Sequence, residues 1–261
     1  MPVVTTPALD ALTTRLRAAG CVFAEEEAAL LVAEAGEDPA RLERMVDARV
    51  SGLPLEQVVG WAELDGRRYA VAPGVFVPRR RSGLLLRLAT ARLAPGAVVV
   101  DLCCGSGALG AALLAREPGI EVHAADLDPA AVDCARRNLP PERVHAGDLF
   151  EALPRSLRGR VAVLVANAPY VPTAAIASMP TEARDHEHLV ALDGGTDGLD
   201  VQRRLVRESP AWLAPDGLLL VETGRDQAVR TAGLVSAAGL VAQVHHDEEI
   251  AGCAVSGRRP V

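Results

Sequence analysis

The chain has 261 residues, a net charge of −7 and a composition that is 49% hydrophobic, enough for one large domain or two small ones with a sizeable core. All 27 basic residues are arginine, which excludes chemistry built on a lysine: a Walker A phosphate loop, a Schiff base, a kinase-type site. The acidic balance argues against general nucleic-acid binding, no apolar run reaches the ~18–20 residues of a membrane span, and five cysteines without a CxxC pair argue for reduced thiols rather than disulfides or zinc.

The opening segment, MPVVTTPALDALTTRLR, lacks a basic start followed by a long apolar stretch, so a cytoplasmic chain without a signal peptide is expected. Three helices follow. TTPALDALTTRLRAAG ends at Gly20, AEEEAALLVAEAG closes on Gly36, and DPARLERMVDARVSG starts with an Asp-Pro cap and stops at Gly52. WAELDGRRYAVAPGVFVP then changes period, and Asp65-Gly66 between alternating apolar residues signals a β-hairpin. The expected organisation is a helical domain over 1–60, a hairpin linker over 61–81 and a second domain over 82–261.

From about Ala97 strands and helices alternate. AVVVDL, EVHAAD, RVHAG, VAVLVA, GLLLVE and LVAQVHH read as strands. GALGAALLARE, DPAAVDCARRNL, GLDVQRRLVRESPAWL and RDQAVRTAGLVSAAG read as helices between them. This predicts an α/β fold, a mostly parallel sheet with helices on both faces and ligands outside the carboxyl ends of the strands.

That end carries the chemistry. In VVVDLCCGSGALG, Gly105 and Gly107 permit a tight turn and close approach of backbone to a ligand. The next strand ends in Asp126, placed to accept both ribose hydroxyls of a nucleoside. The third is followed by Asp148 and Leu149, where an adenine could bond and pack. The glycine spacing fits a dinucleotide fingerprint only loosely. Asp101 at the mouth of the loop would repel a pyrophosphate, yet would suit the cationic sulfonium and ammonium of S-adenosylmethionine.

The fourth strand ends in Asn167-Ala168-Pro169-Tyr170 at the same rim. Here the chain resembles class I methyltransferases that modify amino or amide nitrogen, and more closely the HemK-type release-factor glutamine methyltransferase family. PGVFVPR, DLCCGSGALG, NAPYVP and LVALDGGTDGLDVQRRL carry the resemblance over nearly the whole chain. It implies a Rossmann-like, seven-stranded sheet with an antiparallel last strand. It further implies that Gly105, Gly107, Asp126, Leu127, Asp148, Leu149 and Asn167 line the cofactor and target pocket, where Asp101 and Cys103 of the same loop are also expected at the donor, and that the target is a glutamine amide in a Gly-Gly-Gln motif of peptide release factors. An amide nitrogen is a poor nucleophile and must be held in line with the methyl. Asn167 offers a side-chain carbonyl to one amide hydrogen and the Ala168 backbone carbonyl accepts from the other, while Pro169 and Tyr170 wall the target.

The chain departs from the family pattern at three places. Ala168 replaces a proline, which loosens the loop. Cys103 stands where the first glycine of the loop is usual, as a small packing residue. VPRRRSG replaces Pro-Arg-Pro-Glu-Thr, so Arg79, a candidate substrate contact, runs on into Arg80 and Arg81. That run reads equally as a basic rim for an acidic partner or as a solvated surface. The alternatives to a protein glutamine are a small-molecule amine or amide, the exocyclic amine of a nucleic acid, and a donor-binding module without activity. DHEH at 185–188 and HHDEE at 245–249 lack a structural zinc spacing, and no metal is expected.

Overall fold

The computed structural model describes residues 6–261; residues 1–5, the start of the segment read for a signal peptide, lie outside them. Helices α1 (Thr6–Ala18), α2 (Ala24–Ala35) and α3 (Pro39–Val50) pack around Leu16, Ala28, Leu31 and Val46. Asp38 caps α3 by accepting from the Arg41 N–H at 2.9 Å, with Pro39 as the first helical residue, as the Asp-Pro signal requires. A buried ion pair, Arg49–Glu27 at 2.6 Å, holds α3 to α2. The short α4 (Leu55–Val59) ends at Gly60 in a left-handed conformation.

Strands β1 (Trp61–Leu64) and β2 (Arg67–Ala70) form the expected hairpin, and Asp65 and Gly66 both take positive φ (57° and 69°), as a type I′ turn demands. The hairpin is more than a connection. Leu64 and Tyr69 are buried in the main core beside α5 (Gly83–Thr90), so residues 61–81 are built into the larger body.

The sheet uses β3 (Val98–Leu102), β4 (Glu121–Asp126), β5 (Val144–Ala146), β6 (Val161–Ala166), β7 (Leu213–Glu222), β8 (Val241–Asp247) and β9 (Gly252–Arg258), in the spatial order β5-β4-β3-β6-β7-β9-β8. The first five are parallel, and β9 runs antiparallel between β7 and β8. Period-2 alternation splits the core in two. Val99, Ala124, Val163, Val165 and Leu220 face α5, α6 (Ala108–Arg116) and α7 (Pro129–Ala135). Val100, Leu102, Leu164, Ala166 and Val221 face α9 (Asp200–Glu208) and α10 (Ala228–Ala237). A small helix, α8 (Thr181–His186), lies in the long excursion between β6 and α9.

Several boundaries differ from expectation; α7, for one, ends at Ala135 rather than Leu139. β7 starts at Leu213, four residues before Gly217, with a register shift against β6 at Val161/Val163. α9 stops at Glu208, since Ser209-Pro210 opens a 3₁₀ turn. No described helix is long and apolar enough to cross a membrane.

Candidate active site

Strand register assembles the site. Leu102 pairs with Ala125 of β4 on one side and with Ala166 of β6 on the other. The next residue of each strand, Cys103, Asp126 and Asn167, therefore shares one row at the carboxyl rim. The sheet order switches direction at β3, which opens a crevice there.

The loop after β3 is tied to β4. The Asp126 Oδ2 accepts from the Gly105 N–H at 2.8 Å and its Oδ1 from the Asp128 N–H at 2.9 Å. Each oxygen keeps a second lone pair for a ligand hydroxyl. Burial pushes the Asp126 carboxyl up, against the pull of those two N–H groups. Asp128, not Asp126, caps α7, by accepting from the Ala130 N–H at 2.9 Å.

Asp101 is only 2% exposed, and its Oδ2 accepts from the Gly110 N–H of α6 at 2.9 Å. Gly110 lets the helix close on this carboxyl, because a Cβ there would sit 3.1 Å from Oδ2. Burial pushes Asp101 up to about 8; the Gly110 bond opposes the shift and Asp126 adds to it.

A cavity opens above this row. Asp101, Cys103, Gly105, Asp126 and Leu127 line it on the β3–β4 side; Asp148, Leu149 and Arg204 close the next edge; Asn167 and Pro169 form the far wall. Of its four carboxyls, Asp101 holds its proton at pH 7 and Asp148 is balanced by Arg204, so the acidity of this wall rests on Asp126 and Asp128. Gly107 stands off from the cavity: it takes a φ of 72° at the start of α6, and a Cβ would meet Ala135 at 3.0 Å. Its role is packing against the end of α7. Cys103 takes a positive φ of 55°, the conformation glycine adopts without strain. Burial raises its thiol well above the usual range. The Asp148 carboxylate is half engaged: its Oδ2 lies 2.6 Å from Arg204 Nη2, which leaves Oδ1 as the acceptor.

A second cavity of about 370 Å³ adjoins the first. Ala168, Tyr170, Arg79, Arg81 and Glu187 belong to it and not to the first, and Asn167, Pro169, Phe76 and Ala191 belong to both. The Tyr170 phenol is pushed up to about 12 by burial, which removes it as a base and leaves its ring as a wall. The Ala168 methyl is buried in the core on the α9 face.

The NAPY loop is pinned by the segment rich in glycine and aspartate that the sequence links to it. Val171 donates to Leu192 at 3.1 Å, Gly194 donates to the Val171 carbonyl at 2.9 Å, and Thr173 donates to Gly195 at 3.0 Å. Gln227 Nε2 donates to the Tyr170 carbonyl at 2.9 Å. Gly198, at φ 76°, is required here, because a Cβ would intrude on the Tyr170 carbonyl oxygen and on Gln227 Nε2.

The arginine run is not a basic rim, which corrects that reading of Arg79–Arg81. Arg79 pairs with the buried Glu187 at 2.6 Å and Arg81 with the buried Glu222 at 2.9 Å, its guanidinium 5.8 Å from the Tyr170 ring centroid. Ser82 also donates to Glu222 at 2.7 Å, and only Arg80 is exposed. Glu187, Glu222 and Arg204 were given no site role from sequence, although Glu187 lay inside the DHEH weighed for a metal, Arg204 inside LVALDGGTDGLDVQRRL and Phe76 inside PGVFVPR. Among the described residues, no group of three or more His, Cys, Asp or Glu side chains is placed to hold a metal ion.

The Methyltransferase small domain family model matches residues 70–184. A release factor glutamine methyltransferase of Cereibacter sphaeroides is 37% identical over 256 residues, 89% of this chain and 90% of the relative. A 4-amino-L-phenylalanine/4-methylamino-L-phenylalanine methyltransferase of Streptomyces pristinaespiralis is 36% identical over 245 residues, 90% of this chain and 82% of the relative. A crystal structure of a methyltransferase from Pyrococcus furiosus matches in fold with a TM-score of 0.56 at 15% identity, covering 85% of this chain and 98% of that one.

Proposed function

The chain belongs to the release factor glutamine methyltransferase family, and from that membership we propose that it transfers a methyl group from S-adenosylmethionine to the side-chain amide nitrogen of a glutamine in a protein, a peptide release factor. One observation carries the reading: the acidic cavity and the second cavity meet at Asn167 and Pro169, so a donor in one and an acceptor in the other share a wall.

The residues fit the donor. An acidic wall repels a pyrophosphate and attracts a sulfonium with its ammonium group. Asp126 has lone pairs for ribose hydroxyls, Leu127 and Leu149 offer apolar surface to a base, and the half-buried Asn167 faces the junction. When bound, the donor supplies an electrophilic methyl. The remaining work falls to the chain: Asn167 Oδ1 and the Ala168 carbonyl accept the two amide hydrogens, fixing the nitrogen and stabilising the positive charge that grows on it. Tyr170 packs against the planar amide. No strong base is required, because the proton leaves after transfer. Asp148 serves an adenine through Oδ1, the oxygen that Arg204 does not take.

The second reading is a small aromatic amine, favoured by the relative from Streptomyces pristinaespiralis and by Ala168 in place of proline. Labelled donor is incubated in parallel with a release factor, nucleic acid, 4-amino-L-phenylalanine and cell extract. Label in a release-factor glutamine peptide is the expected result. Label confined to the small-molecule fraction overturns the protein reading, and tight donor binding with no transfer to any acceptor overturns the enzymatic one.

A further inference from the structure

Two chain segments far apart in sequence meet at the mouth of the donor cavity. Leu127 follows the end of β4, and Val190 belongs to the 3₁₀ turn Leu189–Ala191 in the excursion after α8. Both line the cavity, yet Leu127 is 55% exposed and Val190 45%, which puts them at its opening. Large apolar side chains left open beside a cavity are surface for a ligand to cover.

One bond ties the two sides. His188 Nδ1 lies 2.6 Å from Asp128 Oδ2, and Asp128 is itself a lining residue. An exposed pair of this kind is ordinarily worth little, because ordering two side chains offsets the attraction. Here the order is built in. Asp128 is fixed through Oδ1, which caps α7 at the Ala130 N–H. The His188 N–H donates to the Gly74 carbonyl at 2.9 Å, and the imidazole lies on Gly74 itself: a Cβ there would fall 2.4 Å from Nε2. Glu187 grips the same segment, accepting from the Val77 N–H at 3.1 Å and from Arg79 Nη2 at 2.6 Å. Residues 187–188 are thus held to residues 74–79. Among the described residues, the His188–Asp128 contact is the one side-chain hydrogen bond between residues 187–192 and residues 126–130.

We propose that residues 188–190 form a clasp over the nucleoside of the methyl donor. Val190 covers it together with Leu127, and His188, bonded to Asp128, is the positioning residue that keeps the clasp shut. This rests on the methyl-donor reading above and does not depend on which acceptor the second cavity takes.

The test follows binding of S-adenosylmethionine and of its product S-adenosylhomocysteine, by calorimetry and stopped-flow displacement. His188→Ala is expected to speed dissociation of both about three- to tenfold, with association within about twofold of wild type. His188→Asn, whose side-chain N–H stands in for that of Nδ1, should restore most of the wild-type rate. Val190→Ala should speed dissociation of both about threefold; it leaves the bond untouched, so the inference stays testable if His188→Ala does not fold. Equal factors for the two ligands are the mark of contact with the nucleoside they share. A loss confined to the sulfonium ligand would show His188 acting on the charge of Asp128 and overturns the clasp, as does a His188→Ala defect that Asn does not rescue. Wild-type protein that binds neither ligand overturns the methyl-donor reading and this inference together; tight binding with unmoved dissociation in both alanine variants overturns this inference alone.

Discussion

Replacing Asp101 by Asn should make the protein without donor more stable and the bound donor weaker. The carboxyl sits at about 8 in the fold, from an ordinary value of 3.8, because burial disfavours its charge. Between those values the folded state holds a proton that the unfolded state has released, so stability falls as pH rises from about 4 to 8 and is flat above. At pH 7 the interval from 3.8 is about three pH units, or about 4 kcal/mol at 1.36 kcal/mol per unit; local relaxation brings the realised gain of the variant to about 1–4 kcal/mol. Asn keeps an oxygen for the Gly110 N–H. On the donor side, a unit charge about 5 Å from a cation at an effective dielectric of about 20 is worth about 3 kcal/mol, of which about 1.4 is lost at pH 7 in deprotonating the carboxyl. The variant should bind donor about 10–30-fold more weakly, and only the wild type should gain affinity from pH 7 to 8. Urea unfolding from pH 5 to 9 with calorimetric donor titrations checks both. A stability gap that does not widen with pH, or a variant less stable than wild type, would refute the assignment of Asp101 as a buried acid held for a cation.

Asn167→Ala should reduce methyl transfer at least about 100-fold while donor affinity changes less than about threefold, as expected for lost transition-state contacts; equal losses in both would place Asn167 on the donor instead. Ala168→Pro should leave calorimetric donor affinity within about twofold, since its methyl faces the core and not the donor cavity. Gly198→Ala should lower stability by about 2 kcal/mol or more, from the left-handed conformation and the collision with the Tyr170 carbonyl, and should depress transfer beyond what partial unfolding explains. Circular dichroism melts beside turnover at low temperature separate those two effects.

Local signals were the legible ones. Asp65-Gly66 names the turn, and the ends of the strand-like runs VVVDL, EVHAAD and VAVLVA put Asp101, Asp126 and Asn167 at one rim. The unread parts are those made by distant partners. Arg79 meets Glu187 across 108 positions and Arg81 meets Glu222 across 141, so a run of three arginines looks the same in sequence whether it is solvated or tied inward. Arg204 takes the Asp148 carboxylate across 56 positions for the same reason. β9 was missed by pattern because Gly252, Ser256 and Gly257 dilute its strand propensity, and burial on both faces erases alternation. Gly257 is there for packing, since a Cβ would come within 2.5 Å of Val235.

The position of β9 bears on how the chain reaches its working form. It is translated after both strands it joins, and β8 pairs with nothing else in the sheet. Until residues 252–258 have left the ribosome, the nascent sheet ends at β7 with an open, apolar edge, a template for pairing with other chains. The carbonyl of Cys253 also takes the N–H of Thr223, the residue after Glu222, so the anchor for Arg81 settles only then. Assembly of the second cavity therefore waits on β9, and a chain cut short before it would present a nearly complete donor crevice on a sheet inclined to aggregate.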